Sequence, residues 1–380
     1  MPSFNKRVLL FNDQFNYLSS GGHWRTINLA EGLSYLKYDV WLATPYLKFH
    51  VKELKKINVS NLIQKYNNNI LIHLVNAVLP FRYALEKTKY KFVYLQLPMP
   101  ITKGLCEFIF KFKFTPTVLD FGDLWGYKSY ESIFAILHEA IASIIVQNAT
   151  IVTAASNELA NYLKRLSKRN VYLLNNSVDC INVFNPALYP FDREKFWIPK
   201  EKLVIIYSGT ISKSKGVHNI VRVAKNIPKD LLKELLFFIV GDGPYLNEMK
   251  INVKKLGLSN SFYFTGFVPR EEIPKYLKLA NLGIVSPSPI RGGLIKLAEY
   301  MAMGIIPIVP PNSWPTEHIK NGTNGLVARI EEYPVILDKF YNNKEQIYKM
   351  SKEARTYAID NFDIRKVAEK LIEYLSKNGY

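Results

Sequence analysis

Residues 283–309 read GIVSPSPIRGGLIKLAEYMAMGIIPIV. An apolar run ends at Ser286, a loop with Gly292 and Gly293 follows, and a helical stretch leads to Gly304. A second apolar run occupies 305–309. Strand, helix and strand in so short a span form a βαβ unit, and βαβ units build parallel sheets. Working outward, the same alternation covers the chain. Strands are predicted at 7–12, 39–44, 92–98, 117–121, 150–155 and 171–175, then at 203–208, 235–240, 262–266, 283–286, 305–309 and 325–328. Helical patterns lie between them, for example at 26–37 and 158–166, and the chain is helical after Ala328. The class is α/β, with parallel sheets covered on both faces.

The chain has 380 residues, more than one hydrophobic core usually serves. The alternation breaks at about 179–201, where Pro186, Pro190 and Pro199 stand among aromatic residues without a period. The predicted organisation is therefore a domain at 1–180, a linker at 181–200, a second domain at 201–358 and a terminal segment at 359–380. The last helix, 364–376, carries Val367, Leu371, Ile372 and Leu375 on one face, so it packs on something, with the first domain the expected surface. Two doubly wound sheets leave a cleft, and parallel sheets bind ligands beyond the carboxyl ends of their strands.

Composition excludes several classes. A hydrophobic share of 48% and a charged share of 22% belong to a globular chain. Two cysteines, Cys106 and Cys180, form neither a disulfide framework nor a zinc spacing, which fits a reducing compartment. The stretch 133–155 is broken by His138, Glu139, Gln147 and Asn148, so it reads as buried helix and strand. These features place the protein in the cytoplasm. The net charge of +18 is shared equally between 1–180 and 181–380, so the expected partners are anions, with no basic block of the nucleic-acid-binding kind.

The turns after the strands hold the chemistry. Gly292 and Gly293 precede the helix N-terminus, where bare amides and the helix dipole favour an anion. Lys296 lies in the first helical turn, and Glu299 shares its face three residues on. Lysine suits a phosphate and a carboxylate accepts from vicinal hydroxyls, so the pair fits a nucleoside diphosphate. The plainer alternative is a salt bridge between the two. Asp120 and Asp123, at the end of the strand 117–121, are candidates for acceptor orientation or general base, against a turn or cap role. His23 is a further catalytic candidate beside Gly21–Gly22, and Gln96 ends another strand.

The segment 296–307, KLAEYMAMGIIP, resembles the donor-site signature of glycosyltransferase family 4, the retaining GT-B enzymes. Gly21–Gly22 resembles the family's N-terminal glycine loop, and 175–179 (NNSVD) resembles its Asn-Gly-Val-Asp element. Residues 207–216 (YSGTISKSKG) resemble its phosphate-binding turn, 240–244 and 264–268 match two more strand ends, and 321–326 matches the turn that follows the donor helix. The resemblance implies a GT-B fold of two Rossmann-like domains facing a cleft. It implies transfer of a sugar, with retention, from a nucleoside-diphosphate-sugar to a hydroxyl of a glycan, lipid-linked or other acceptor. The implied donor residues are Gly21, Gly22, Gly209, Lys213, Lys215, Gly266, Phe267, Val268, Arg291, Gly292, Gly293, Leu294, Lys296 and Glu299.

Two departures stand out. Arg291 occupies the place of the family's first glutamate, which leaves the donor sugar open, and Thr210 replaces the arginine of the phosphate turn. Lys215, Lys296 and the Gly21–Gly22 amides are expected to stabilise the leaving diphosphate, with no metal cofactor required. The segment 104–114, with Phe108, Phe110, Phe112 and Phe114 beside Lys111 and Lys113, is a candidate for peripheral contact with an anionic membrane, or else a core helix. A sugar-nucleotide epimerase and a basic nucleic-acid-binding protein are the competing classes. A dehydrogenase is disfavoured because no Gly-x-Gly-x-x-Gly follows the first strand.

Overall fold

The computed structural model describes residues 6–11, 21–43, 58–60, 89–97, 110, 114–122, 143–196, 198–286 and 295–380. The chain divides into two units, Met1–Ser177 with Ile364–Tyr380, and Val178–Asp363.

The first unit is a seven-stranded sheet of order β3-β2-β1-β4-β5-β6-β7. Its strands are β1 (Arg7–Phe11), β2 (Asp39–Ala43), β3 (Asn58–Ser60), β4 (Phe92–Leu97), β5 (Thr117–Phe121), β6 (Ile151–Ala154) and β7 (Tyr172–Leu173). Every pairing is parallel. The central strands are buried along nearly their whole length because both faces are covered. Helix α1 (Gly21–Tyr35) buries Leu29, Ala30 and Leu33 in the sheet's core, and α2 (Asn157–Ser167) is capped by Ser156, which accepts from the Leu159 amide at 3.2 Å.

The second unit has α3 (His218–Lys225), α4 (Lys229–Lys233), α5 (Leu246–Lys255), α6 (Ile273–Leu277), α7 (Ile295–Ala302), α8 (Tyr333–Tyr341) and α9 (Lys344–Phe362) around a six-stranded sheet. The strands are β8 (Leu203–Ser208), β9 (Leu235–Val240), β10 (Phe262–Gly266), β11 (Leu282–Ile284), β12 (Ile306–Val309) and β13 (Leu326–Val327), in the order β10-β9-β8-β11-β12-β13. All pair in parallel. Alternate residues of β8 enter opposite cores: Ile205 and Tyr207 join one, Val204 and Ile206 the other. Leu297, Ala298 and Met301 of α7 share the second core with Ala354 and Ala358 of α9. Successive strands run outward from β8 in one direction and from β11 in the other. The switch point, where such sheets bind ligands, therefore falls between β8 and β11.

The stretch read as a linker is packed into the second unit. Val178, Cys180, Phe184 and Ile198 lie in its core. Asp179 accepts from the amides of Ile181 and Asn182 at 3.0 and 2.9 Å, and buried Arg193 donates to the Leu279 carbonyl at 2.8 Å. Irregular backbone here is satisfied by side chains instead of a ladder. At the other end, α10 (Ile364–Lys377) belongs to the first unit, where Val367, Ala368, Leu371 and Leu375 complete the core.

The fit of α10 on α1 depends on residue 32. A Cβ at Gly32 would lie 2.1 Å from the Ile364 carbonyl oxygen. Gly32→Ala is predicted to push α10 outward and cost roughly 1–3 kcal/mol of stability, as overpacking generally does. Urea unfolding of the variant tests this; an unchanged midpoint would contradict the packing described.

Candidate functional site

Loops at the carboxyl ends of β8, β9 and β10 are tied together by backbone. The Gly209 amide donates to Val240 O at 2.9 Å, and the Gly241 amide to Gly266 O at 3.0 Å. Residues 209 and 241 have φ of 130° and 134°, which side chains rarely tolerate, and a Cβ at 241 would meet Gly209 O at 2.1 Å.

Across the switch point, α7 is pinned to β8. Tyr300 Oη accepts from the Ser208 amide at 2.8 Å. This anchorage brings Lys296 over the end of β8. Its Nζ stands 4.0 Å from the centre of the Tyr207 ring, and a Cβ on Gly209 would lie 3.1 Å from it. Tyr207 in turn donates to Thr210 O at 3.2 Å, fixing the loop beyond. Withdrawal from water is the main cause that pushes the Lys296 ammonium down to about 7; Lys215 adds to this and Glu299 opposes it. An anion would favour the charged form. Lys215 ends the exposed turn Lys213–Lys215. Two lysines thus face one volume beside a residue without a side chain. That arrangement is costly when empty and favourable around a phosphate.

Other expected donor residues take different places. Lys213 reaches toward α5, with Nζ 2.8 Å from Glu248 Oε1 and 5.2 Å from the Tyr245 ring centre, an exposed ion pair. Glu299 does not pair with Lys296: its Oε1 lies 2.5 Å from Arg270 Nη1. Phe267 is 65% exposed beside Gly266, while Val268 is buried in the core. Gly21 and Gly22 open α1 and His23 follows in its first turn. Arg291, Gly292, Gly293, Leu294 and Asp123 lie outside the described residues, as does most of the segment 104–114.

Asp120, expected as a catalytic candidate, stands in a buried ion pair with Arg25. It is fully buried, and both carboxylate oxygens are engaged. Arg25 donates to them at 2.6 and 2.7 Å, and Thr153 Oγ1 adds a bond at 2.6 Å. Arg25 continues to Asn176 Oδ1 at 3.0 Å and Leu174 O at 2.6 Å. Burial opposes the Arg25 charge, but Asp120 outweighs it and holds the guanidinium protonated. Gln96 is buried nearby, and its Oε1 accepts from Thr26. Arg25 and Arg270 are missed by sequence reading. Arg25 carries no periodic signal, and Arg270 sits in a charged stretch, PREE, that reads as solvated surface. Among the described residues, no group of three or more His, Cys, Asp or Glu could hold a metal ion.

Comparison with known proteins places this geometry. Residues 189–357, which lie within the second unit, match the family described as glycosyl transferases group 1. The chain is 26% identical over 237 residues to an uncharacterised glycosyltransferase of Methanocaldococcus jannaschii, covering 60% of this chain and 58% of that protein. It is 26% identical to the UDP-Gal:alpha-D-GlcNAc-diphosphoundecaprenol alpha-1,3-galactosyltransferase of Escherichia coli, over 53% of this chain and 52% of the relative. The chain thus spans little more than half the length of these relatives. Among solved structures, it is similar to Anabaena HepE in complex with UDP, with a TM-score of 0.74, 17% identity, and coverage of 98% of this chain and 100% of HepE. The fold is GT-B, built on two Rossmann-like units.

Removing the partner of a buried charge is the severe case. Arg25→Met is predicted to destabilise the first unit by roughly 3–5 kcal/mol because Asp120 is left unpaired. Denaturant titration measures this. Full stability would contradict the ion pair as the support of this unit.

Proposed function

We propose that the protein is a glycosyltransferase that moves a sugar from a nucleoside-diphosphate-sugar to the hydroxyl of a glycan or lipid-linked acceptor. One observation carries the reading: Lys296 is held by the Tyr207 ring over Gly209 at the β8/β11 switch point, with Lys215 facing the same place. The leaving diphosphate gains negative charge as the sugar–phosphate bond breaks, and fixed cations aimed there stabilise the transition state more than the ground state. These lysines supply that charge without a metal. Glu299 is the group for the ribose hydroxyls, and the Gly266–Val268 backbone for the base. Retention is the stereochemistry of the family that the sequence resembles.

The UDP in the HepE structure supports a uridine nucleotide as the first donor to test. The acceptor named for the Escherichia coli relative supports a lipid-linked substrate. A net charge of +18 suits the anionic membrane face on which such acceptors sit, in the cytoplasm where donors are made. No helix among the described residues is long and apolar enough to cross a membrane.

Lys296→Ala is expected to weaken UDP binding about ten- to a hundredfold, the worth of a charge-assisted bond to phosphate. Lys215→Ala should act in the same direction and less strongly, since that side chain is exposed. Titration calorimetry with UDP, GDP and ADP provides the measurement and identifies the base. Wild-type affinity in a folded Lys296→Ala protein would overturn the proposal.

A further inference from the structure

Lys296 and Glu299 are three residues apart on α7, a spacing at which opposite charges normally meet across a helix. Here they part. Glu299, 5% exposed, is held by Arg270, 18% exposed, at 2.5 Å. Arg270 comes from the turn after β10, and its guanidinium carbon lies 5.5 Å from the Phe184 ring centre. Lys296 extends toward β8, onto the Tyr207 ring and against Gly209, and no ion pair engages it among the described residues. Among the described residues, a lysine with a carboxylate one turn away has no ion-pair partner, while a second cation holds the carboxylate.

We propose that Arg270 is a positioning residue of this site: by holding Glu299 it keeps the carboxylate from capturing Lys296 and leaves the ammonium for the donor diphosphate. The identity of the anion rests on the glycosyltransferase reading. Without the guanidinium, Glu299 is a buried carboxylate lacking its partner, a state strongly disfavoured in a protein interior. The described cation closest to it along its own helix is Lys296, and a rotamer change suffices to join them. The lysine then leaves its seat on Tyr207, and the anion must compete with an internal carboxylate. Phe184 contributes by stacking: its ring limits where the guanidinium plane can lie. Arginine suits the task better than lysine because its planar fork holds a carboxylate in one orientation.

The groups acting on Lys296 are Tyr207 from β8, Lys215 from the turn beyond it and Glu299 on its own helix. Lys215 lowers its affinity for a proton and Glu299 raises it. The position of Glu299 is therefore legible in the pH dependence of anion binding. If Glu299 swings in, the pH above which affinity is lost moves upward.

Inorganic pyrophosphate is the probe, because it has no ribose and reports on the lysines alone. Below pH 7, where Lys296 is charged, Arg270→Gln is expected to weaken pyrophosphate binding about fivefold or more, as a competing internal ion pair would. Its affinity should then fall off at higher pH than that of the wild type. The same substitution in a Glu299→Gln background should cost nothing further, and Arg270→Lys should recover part of the loss. A turn that Arg270 merely braced would be damaged in either background. Unchanged affinity in Arg270→Gln, or a loss that persists in the Glu299→Gln background, overturns the proposal. Wild-type pyrophosphate affinity in Lys296→Ala would instead refute the underlying assignment of the site.

Discussion

The second unit depends on the absence of a side chain at residue 209. The backbone leaves β8 with φ of 130°, and the space a Cβ would fill is taken by the ammonium of Lys296. From that single allowance follow the seating of the lysine on Tyr207, its facing of Lys215 and its half-buried setting. The Tyr300–Ser208 bond holds helix and strand in register for it. Charge placed this way is unfavourable until an anion arrives. Sites poised for ligands, unlike structural ion pairs, tolerate such imbalance.

The first unit handles charge in the opposite manner. Arg25 and Asp120 are both out of water and bonded to each other; Thr153 donates to Asp120, and Asn176 Oδ1 and Leu174 O accept from Arg25. A buried network of this kind specifies one arrangement of α1 against β5 and the 174–176 turn. Strand-end carboxylates on parallel sheets are thus not equivalent. What separates them is whether a partner has already claimed them.

Much of the fold was legible because apolar runs dictate buried parallel strands. LVIIYS and LLFFIV gave β8 and β9 at their observed bounds. β3, three residues reading NVS, carries too little pattern to be seen. The segment 181–200, read as a linker, gives no periodic signal because its order comes from the contacts of Phe184 and Arg193 and from the preceding Asp179. Lys296 was legible through local context, a glycine-bearing turn before a helix. The Glu299 partner was not. Local spacing pointed to Lys296, while Arg270 lies 29 residues earlier and meets α7 only in the folded sheet. The partner of Asp120 was hidden for the same reason, lying 95 residues away.

The central claim is the location of the diphosphate, and a crystal structure of the protein with UDP tests it most directly. The account places phosphate oxygens within hydrogen-bonding distance of Lys296 Nζ, beside Gly209 and toward Lys215, with the Arg270–Glu299 pair intact. Nucleotide bound elsewhere, with Lys296 still resting on Tyr207 and no anion in contact, would contradict it.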